Sequence, residues 1–410
     1  MATLDIIIRR ARVRTNPDRL TEIGIRNGRI AAIGEHISDQ ARAEIDAGGN
    51  LVTESFVNPH LHLCKVWTLP MMEQEALKAY QSDNMRAAAA AIDLAAAIKQ
   101  TYAESWIVEN ARRAVTLAAF YGCSHIRAFA DVDSKAQLEG VKALIRVRDE
   151  FRGIVDIQVV AFAQDGIVRE PRASLLMREA MLLGADVVGG IPWIEHSSTD
   201  AAVHIQTCFD LAQEFGKDVS MLLDDAGDAN LRTLEMMAVE TIKRGWQGRA
   251  LAHHCRAMSL YSKEYLQQLI EVLREARVSI VTDPHTGPLH ARVKELLAAG
   301  VRVCLGQDDI SDAYYMYGRN NMLEVAFLAS HLLWMMTRED VSLLYDMITG
   351  EAAAAINLSS YGLAPGGRAD LIVLNHSDTV EALRFHDAPK HVIRNGQILD
   401  LPTFREQSGV

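Results

Sequence analysis

Between residues 51 and 309 a short apolar, β-branched run returns eight times, each followed by a longer stretch of helical period, and this rhythm narrows the possible folds more than any other feature. The runs are Leu51–His62, Cys123–Val132, Asp156–Ala163, Ala185–Pro192, Asp218–Asp225, Ala250–Cys255, Val278–Pro284 and Arg302–Asp309. Clear helical stretches lie between them at Ala87–Ile98, Ala111–Phe120 and Tyr265–Ala276. Eight parallel strands, each followed by a helix, close into a (β/α)8 TIM barrel whose functional groups come from the C-terminal strand ends. A chain of 410 residues has room for one such barrel and an appended subdomain.

The two ends of the chain read differently. Asp5–Val13, Glu22–Asn27 and Arg29–Ile33 are short strands, with Asn27-Gly28 as a hairpin turn, and Ala369–Leu374 and His391–Leu399 repeat the style with Asn395-Gly396. The expectation is an α/β protein in which residues 1–55 and 360–410 pair into a small β subdomain made from both termini. The barrel, residues 56–359, is inserted between its halves.

Charge excludes several functions. A formal net charge of −11 without any Lys/Arg cluster argues against a nucleic-acid partner or an anionic membrane surface. No window approaches the ~18 uninterrupted apolar residues of a membrane span, and Met1–Arg10 lacks the basic and apolar regions of a signal peptide. A cytoplasmic protein is expected. Five scattered cysteines, without CxxC spacing, suggest neither disulfides nor a thiolate metal site.

Polar residues gather where the barrel reading places strand ends. Strand one ends in Asn58-Pro59-His60-Leu61-His62, and alternate residues share a face, so both imidazoles project into the barrel mouth. Such a pair offers two nitrogens to one divalent metal, although strand-end histidines also satisfy local hydrogen bonds. Strand eight ends in Gly306-Gln307-Asp308-Asp309, where a carboxylate can bind a metal, accept a proton or cap the next helix. Strand six ends in His253-His254, of which alternation turns one inward. Asp224-Asp225 follows strand five, Asp283-Pro284-His285 follows strand seven, and Gln164 after strand three carries an amide suited to the polar edge of a base-like ring.

These residues, with Phe56-Val57 before the histidine pair, the run Asp156–Gln164 and the terminal block Gly362–Leu374, resemble the cytosine deaminase branch of the amidohydrolase superfamily, and within it the s-triazine amine hydrolases. The resemblance covers nearly the whole chain. It implies a metal-dependent hydrolase in which activated water cleaves a C–N bond of a small nitrogen heterocycle, such as a pyrimidine or s-triazine, in a homo-oligomer. By the same resemblance His60, His62 and Asp308 are metal ligands, His254 orients or deprotonates the water, and Asp225 and Asp308 share the proton chemistry. Gln164, Asp309 and Tyr314 contact the substrate. Relatives hold zinc or iron; those with two metals use a lysine at the end of strand four, which Ala185–Pro192 lacks, so one divalent ion is expected.

The chain departs from the family pattern at four positions. Leu222 stands where relatives have a third metal histidine, Asp225 where they have glutamate, Phe129 where they have a histidine, and Cys64 where they have an aspartate. Catalytic zinc is often held by three protein ligands, which His60, His62 and Asp308 supply. A second reading is a small-molecule binding protein that kept the barrel and lost turnover through Leu222. Leu222 and Phe129, with Trp67, Trp193 and Tyr314 at or beyond strand ends, suggest a less polar pocket than cytosine requires.

Overall fold

The computed structural model describes residues 3–71, 78 and 88–408. Its centre is an eight-stranded parallel sheet of β6 (Phe56–Leu61), β7 (Cys123–Asp131), β8 (Asp156–Phe162), β9 (Val187–Gly190), β10 (Asp218–Leu223), β11 (Ala250–His254), β12 (Ser279–Thr282) and β13 (Val303–Leu305), paired in chain order. The ring closes where Leu61 bridges Asp308: the Asp308 N–H donates to the His60 carbonyl at 2.9 Å, and the His62 N–H donates to the Asp308 carbonyl at 2.8 Å. The barrel seam therefore runs through the backbone of three candidate site residues. Nearly every strand residue is buried, as a parallel sheet covered by helices requires. The amphipathic helix Lys263–Ala276 shows the outer ring's logic, burying Leu266, Leu269, Ile270 and Leu273 on one face.

The eight expected strands are all present, with one redistribution. The run Leu51–His62 splits: β5 (Val52–Glu54) pairs antiparallel with β14 (Leu371–Val373), whereas β6 joins the barrel. The exchange occurs at one step, since the Ser55 N–H donates to the Asp370 carbonyl and the Phe56 N–H to that of Gly122. The stretch Ala87–Ile98 forms an α-helix only over Ala88–Ala95 and tightens into a 3-10 helix over Ala96–Thr101, with Ala87 outside the described residues.

The termini build two four-stranded sheets. One contains β1 (Leu4–Val13), β2 (Asn16–Arg26), β3 (Arg29–Gly34) and β4 (Ala41–Asp46); the other joins β5 and β14 to β15 (His391–Arg394) and β16 (Gln397–Ile398). A shared core of Ile6, Ile8, Ile23, Ile25, Leu371 and Ile393 unites them. Both Asn-Gly turns have positive φ at each residue, 52° and 71° at Asn27-Gly28, 48° and 73° at Asn395-Gly396, as a two-residue type I′ hairpin demands. The turns also meet: a Cβ on Gly396 would lie 3.0 Å from the Gly28 Cα, so glycine there serves conformation and contact together. Among the described residues no helix is long and apolar enough to cross a membrane.

Candidate active site

The C-terminal strand ends converge on a cavity of about 330 Å³. His60 lies on β6 and His62 one residue beyond it; His254 ends β11, and Asp308 lies three residues past β13. One ligand atom from each of the four falls within 4.8 Å of the others, and all four residues are buried. His60 Nε2 is 2.9 Å from Asp308 Oδ1, while His62 Nε2 and His254 Nε2 are 3.8 and 4.0 Å from the same oxygen.

This donor set fits a divalent ion. Three imidazoles around one carboxylate match zinc or first-row metal chemistry. Burial lowers the pKa of the His60 and His62 rings, and that of His62 falls well below the ordinary value, which favours the neutral form a metal needs. Asp308 goes the other way: burial opposes ionisation, but His254 and the His60 hydrogen bond hold its carboxyl well below the usual range.

His254 is held differently. Its Nδ1 lies 2.9 Å from the Asp283 carboxylate, just past β12, and its Nε2 is 3.9 Å from Asp225 Oδ2. Burial acts to discharge the ring, but the charges of Asp225 and Asp283 outweigh it and raise the pKa to about 9. The alternation rule fails at this strand end. His254 and Cys255 adopt left-handed backbone, φ 66° and 53°, so His254 turns into the cluster although the His253 ring, 4.5 Å from His60 and 5.0 Å from Phe129, is packed there as well. Asp308 is left-handed too, at φ 67°. Strained backbone at two strand ends of one barrel mouth is typical of a functional site.

Asp225, Gln164, Asp309 and Tyr314 line the cavity with His62, His254 and Asp308, and His60 joins them through the donor cluster. Burial drives the Asp225 carboxyl up despite the opposing charge of Arg256. Leu222 lines the cavity as well, 4% exposed, paired in register with His253. Trp193 and Tyr314 reach the cavity wall, whereas Phe129 packs behind the histidines, its ring 4.6 Å from that of His60. Trp67 is not among the lining residues; it stacks under Arg113 instead.

Three participants were not assigned a role from the sequence. Lys65 is 5% exposed, donates to Gln164 Oε1 at 3.1 Å and lies 4.6 Å from the Tyr314 ring centroid. Burial opposes its charge, but Asp131, Asp309 and Asp312 keep it a cation. Arg256 is 1% exposed; its Nη1 donates to Asp225 Oδ1, and its Nη2 lies 3.4 Å from Asp283 and 3.7 Å from Asp308. Asp283 completes the set. A lysine three residues after His62 and an arginine two after His254 are the only signals the chain carries, and in isolation each reads as a solvated charge.

Comparison with known proteins agrees with this construction. The amidohydrolase family model matches residues 43–400. N-isopropylammelide isopropyl amidohydrolase of Pseudomonas sp. (strain ADP) is 30% identical over 399 residues, 96% of this chain and 97% of that protein. The crystal structure of 5-methylcytosine deaminase from Klebsiella pneumoniae liganded with 5-fluorocytosine superposes with a TM-score of 0.87 at 28% identity, covering 96% of this chain and 97% of the other. N-isopropylammelide isopropylaminohydrolase from Burkholderia multivorans superposes at 0.80 and 25% identity, covering 97% and 98%. A barrel closed through its own site residues, a buried His/His/His/Asp cluster at its mouth and relatives matched along nearly their whole length lead to one conclusion: the chain belongs to the amidohydrolase family, hydrolases of non-peptide C–N bonds.

Proposed function

We propose that this protein hydrolyses an exocyclic C–N bond of a small nitrogen heterocycle, a pyrimidine or s-triazine, releasing ammonia or an amine, with one divalent ion, zinc or iron, as cofactor. The observation that carries this is a cluster of four metal donors, three of which line one cavity beside Gln164 and Asp309. Its lining, with Gln164, Asp225 and Asp309 beside Leu222, Trp193 and Tyr314, suits a ring with a polar edge.

In this reading His60, His62 and Asp308 hold the ion. When bound, it supplies Lewis acidity that makes water a nucleophile at neutral pH. His254 takes the proton of that water at Nε2, while the Asp283 carboxylate on Nδ1 fixes the ring's tautomer and orientation. Asp225, held by Arg256, delivers a proton to the departing nitrogen. Gln164 has its Oε1 occupied by Lys65, so its NH2 group is left to donate to a ring acceptor. Asp309 binds the polar ring edge from the opposite side, and Tyr314, under Lys65, walls the ring in.

Leu222 favours weighing a second reading, a binding protein without turnover. Protein produced in metal-supplemented medium separates the two. Near-stoichiometric zinc or iron, with ammonia or amine release from a panel of pyrimidines and triazines, supports the enzyme; ring binding without metal or product would replace it with the binding protein.

Leu222→His tests whether leucine is a loss or an adaptation. The variant regains the family's ligand set and is expected to bind metal more tightly. A polar ring in an apolar wall nevertheless adds bulk and desolvation, about 1–3 kcal/mol of stability. Turnover of the native substrate should fall at least tenfold, about 1.4 kcal/mol of transition-state stabilisation. Metal affinity, melting temperature and kcat measured together check this, and a gain in native turnover would refute adaptation.

A further inference from the structure

Apolar side chains form part of the cavity wall, and among the described residues Trp193 brings to it a donor without a partner. Trp193 lines the cavity and is 9% exposed; its indole Nε1 is buried and, among the described residues, has no hydrogen-bond partner. Apart from Tyr314, the side chains clustered with it, Ile92, Phe162, Ile191 and Leu222 among them, carry no acceptor. A buried N–H left unpaired is unfavourable, so its retention calls for an explanation.

Looseness of the turn does not explain it. Trp193 sits in the 3-10 turn Pro192–Ile194, which is pinned at both ends. The Ile191 N–H donates to His204 Nε2 at 3.1 Å, and His204 Nδ1 lies 2.7 Å from Glu195. The Glu195 carboxylate also accepts from the backbone N–H groups of Ile167, Val168 and Arg169 at 2.6, 3.1 and 3.0 Å. A donor on so rigid a support is pre-organised for a ligand.

We propose that Trp193 is a specificity-determining residue whose indole N–H donates to a carbonyl oxygen or bare ring nitrogen of the substrate, and that Ile92, Ile191 and Leu222 beside it receive an alkyl substituent of the same ring. This rests on the reading of the cavity as a heterocycle site and narrows it to alkyl-bearing rings. Leucine in place of a metal histidine then widens the apolar wall toward that substituent.

The experiment follows the indole N–H directly. The chain has five tryptophans, and Trp193→Phe identifies the Trp193 resonance in a 15N-labelled, metal-free sample by its disappearance. Cytosine, 5-methylcytosine and N-isopropylammelide are the probes, and ammonia or amine release is measured separately on metal-loaded protein. The expected result is a downfield shift of that resonance on ring binding and affinity about two- to tenfold weaker in Trp193→Phe, the scale of one hydrogen bond. At least one alkyl-bearing ring binds about tenfold or more tightly than cytosine, a preference reduced in Leu222→Ala. Rings that bind without moving the resonance, no preference for either alkyl-bearing ring, or no ring bound at all would each overturn the proposal, whatever the turnover. A moved resonance with no product from metal-loaded protein would leave it standing and remove the hydrolytic reading instead.

Discussion

Replacing Asp308 by alanine is expected to empty the site of metal and reduce turnover below detection, a loss beyond the ~10²–10⁴ assigned to a positioned acid–base group. The carboxylate is the one anion among the four clustered donors, and three imidazole nitrogens lie 2.9 to 4.0 Å from its Oδ1. Without it the cluster keeps three imidazoles beside the Arg256 cation, an unfavourable setting for a dication. The fold should persist, because the barrel closure runs through the Asp308 backbone, not its side chain. Alanine at φ 67° is mildly strained, about 1 kcal/mol, so Asp308→Asn is the control: asparagine tolerates that conformation and keeps the volume. His60→Ala should behave alike. Elemental analysis and circular dichroism on the three variants decide the matter, and wild-type metal content in Asp308→Ala and His60→Ala would remove the proposed ligand set.

Much of this architecture was legible because its signals are local. The alternation of buried strand and amphipathic helix shows in any window of the barrel, and the residues ending each run, His60, His62, Asp225, His254 and Asp308, follow from the rule that strand ends carry the site. What stayed hidden depends on contacts between distant segments. Strand β4, Ala41–Asp46, alternates exposed charge with half-buried positions and owes its existence to parallel pairing with β1. Arg256 gains its meaning only when β10, β11, β12 and β13 bring Asp225, Asp283 and Asp308 around it. Lys65 likewise looks like a surface lysine until Asp131, Asp309 and Asp312 surround it. The orientation of His253 and His254 could not be read from strand periodicity, because a left-handed residue ends that periodicity where the site begins.

His254→Ala is expected to retain metal but lower kcat by ~10²–10⁴, the range for removal of a positioned proton acceptor. Position supports the assignment: Nδ1 is committed to Asp283, so a single nitrogen faces the cluster, as a base serving one water requires. The same nitrogen lies close enough to the other donors to compete for the role of ligand, and pH separates the two. In the metal-free protein the ring is protonated up to about pH 9, because the neighbouring carboxylates outweigh its burial. This pKa is raised above the ordinary value of about 6.5, so the stabilisation it gives the folded, metal-free chain is complete below that value and disappears as pH rises through about 9. A dication arriving beside the ring expels that proton, so metal affinity of the wild type should rise with pH until about 9 and then level off. In His254→Ala the rise should flatten while affinity at high pH remains close to that of the wild type. A base explains unchanged metal content with slow turnover; a ligand predicts that the metal is lost with the ring. Titrating metal into both proteins at several pH values, with kcat measured on the loaded forms, distinguishes these outcomes, and loss of metal at high pH in the variant would transfer His254 to the ligand set and leave Asp225 as the proton acceptor in reach of the water.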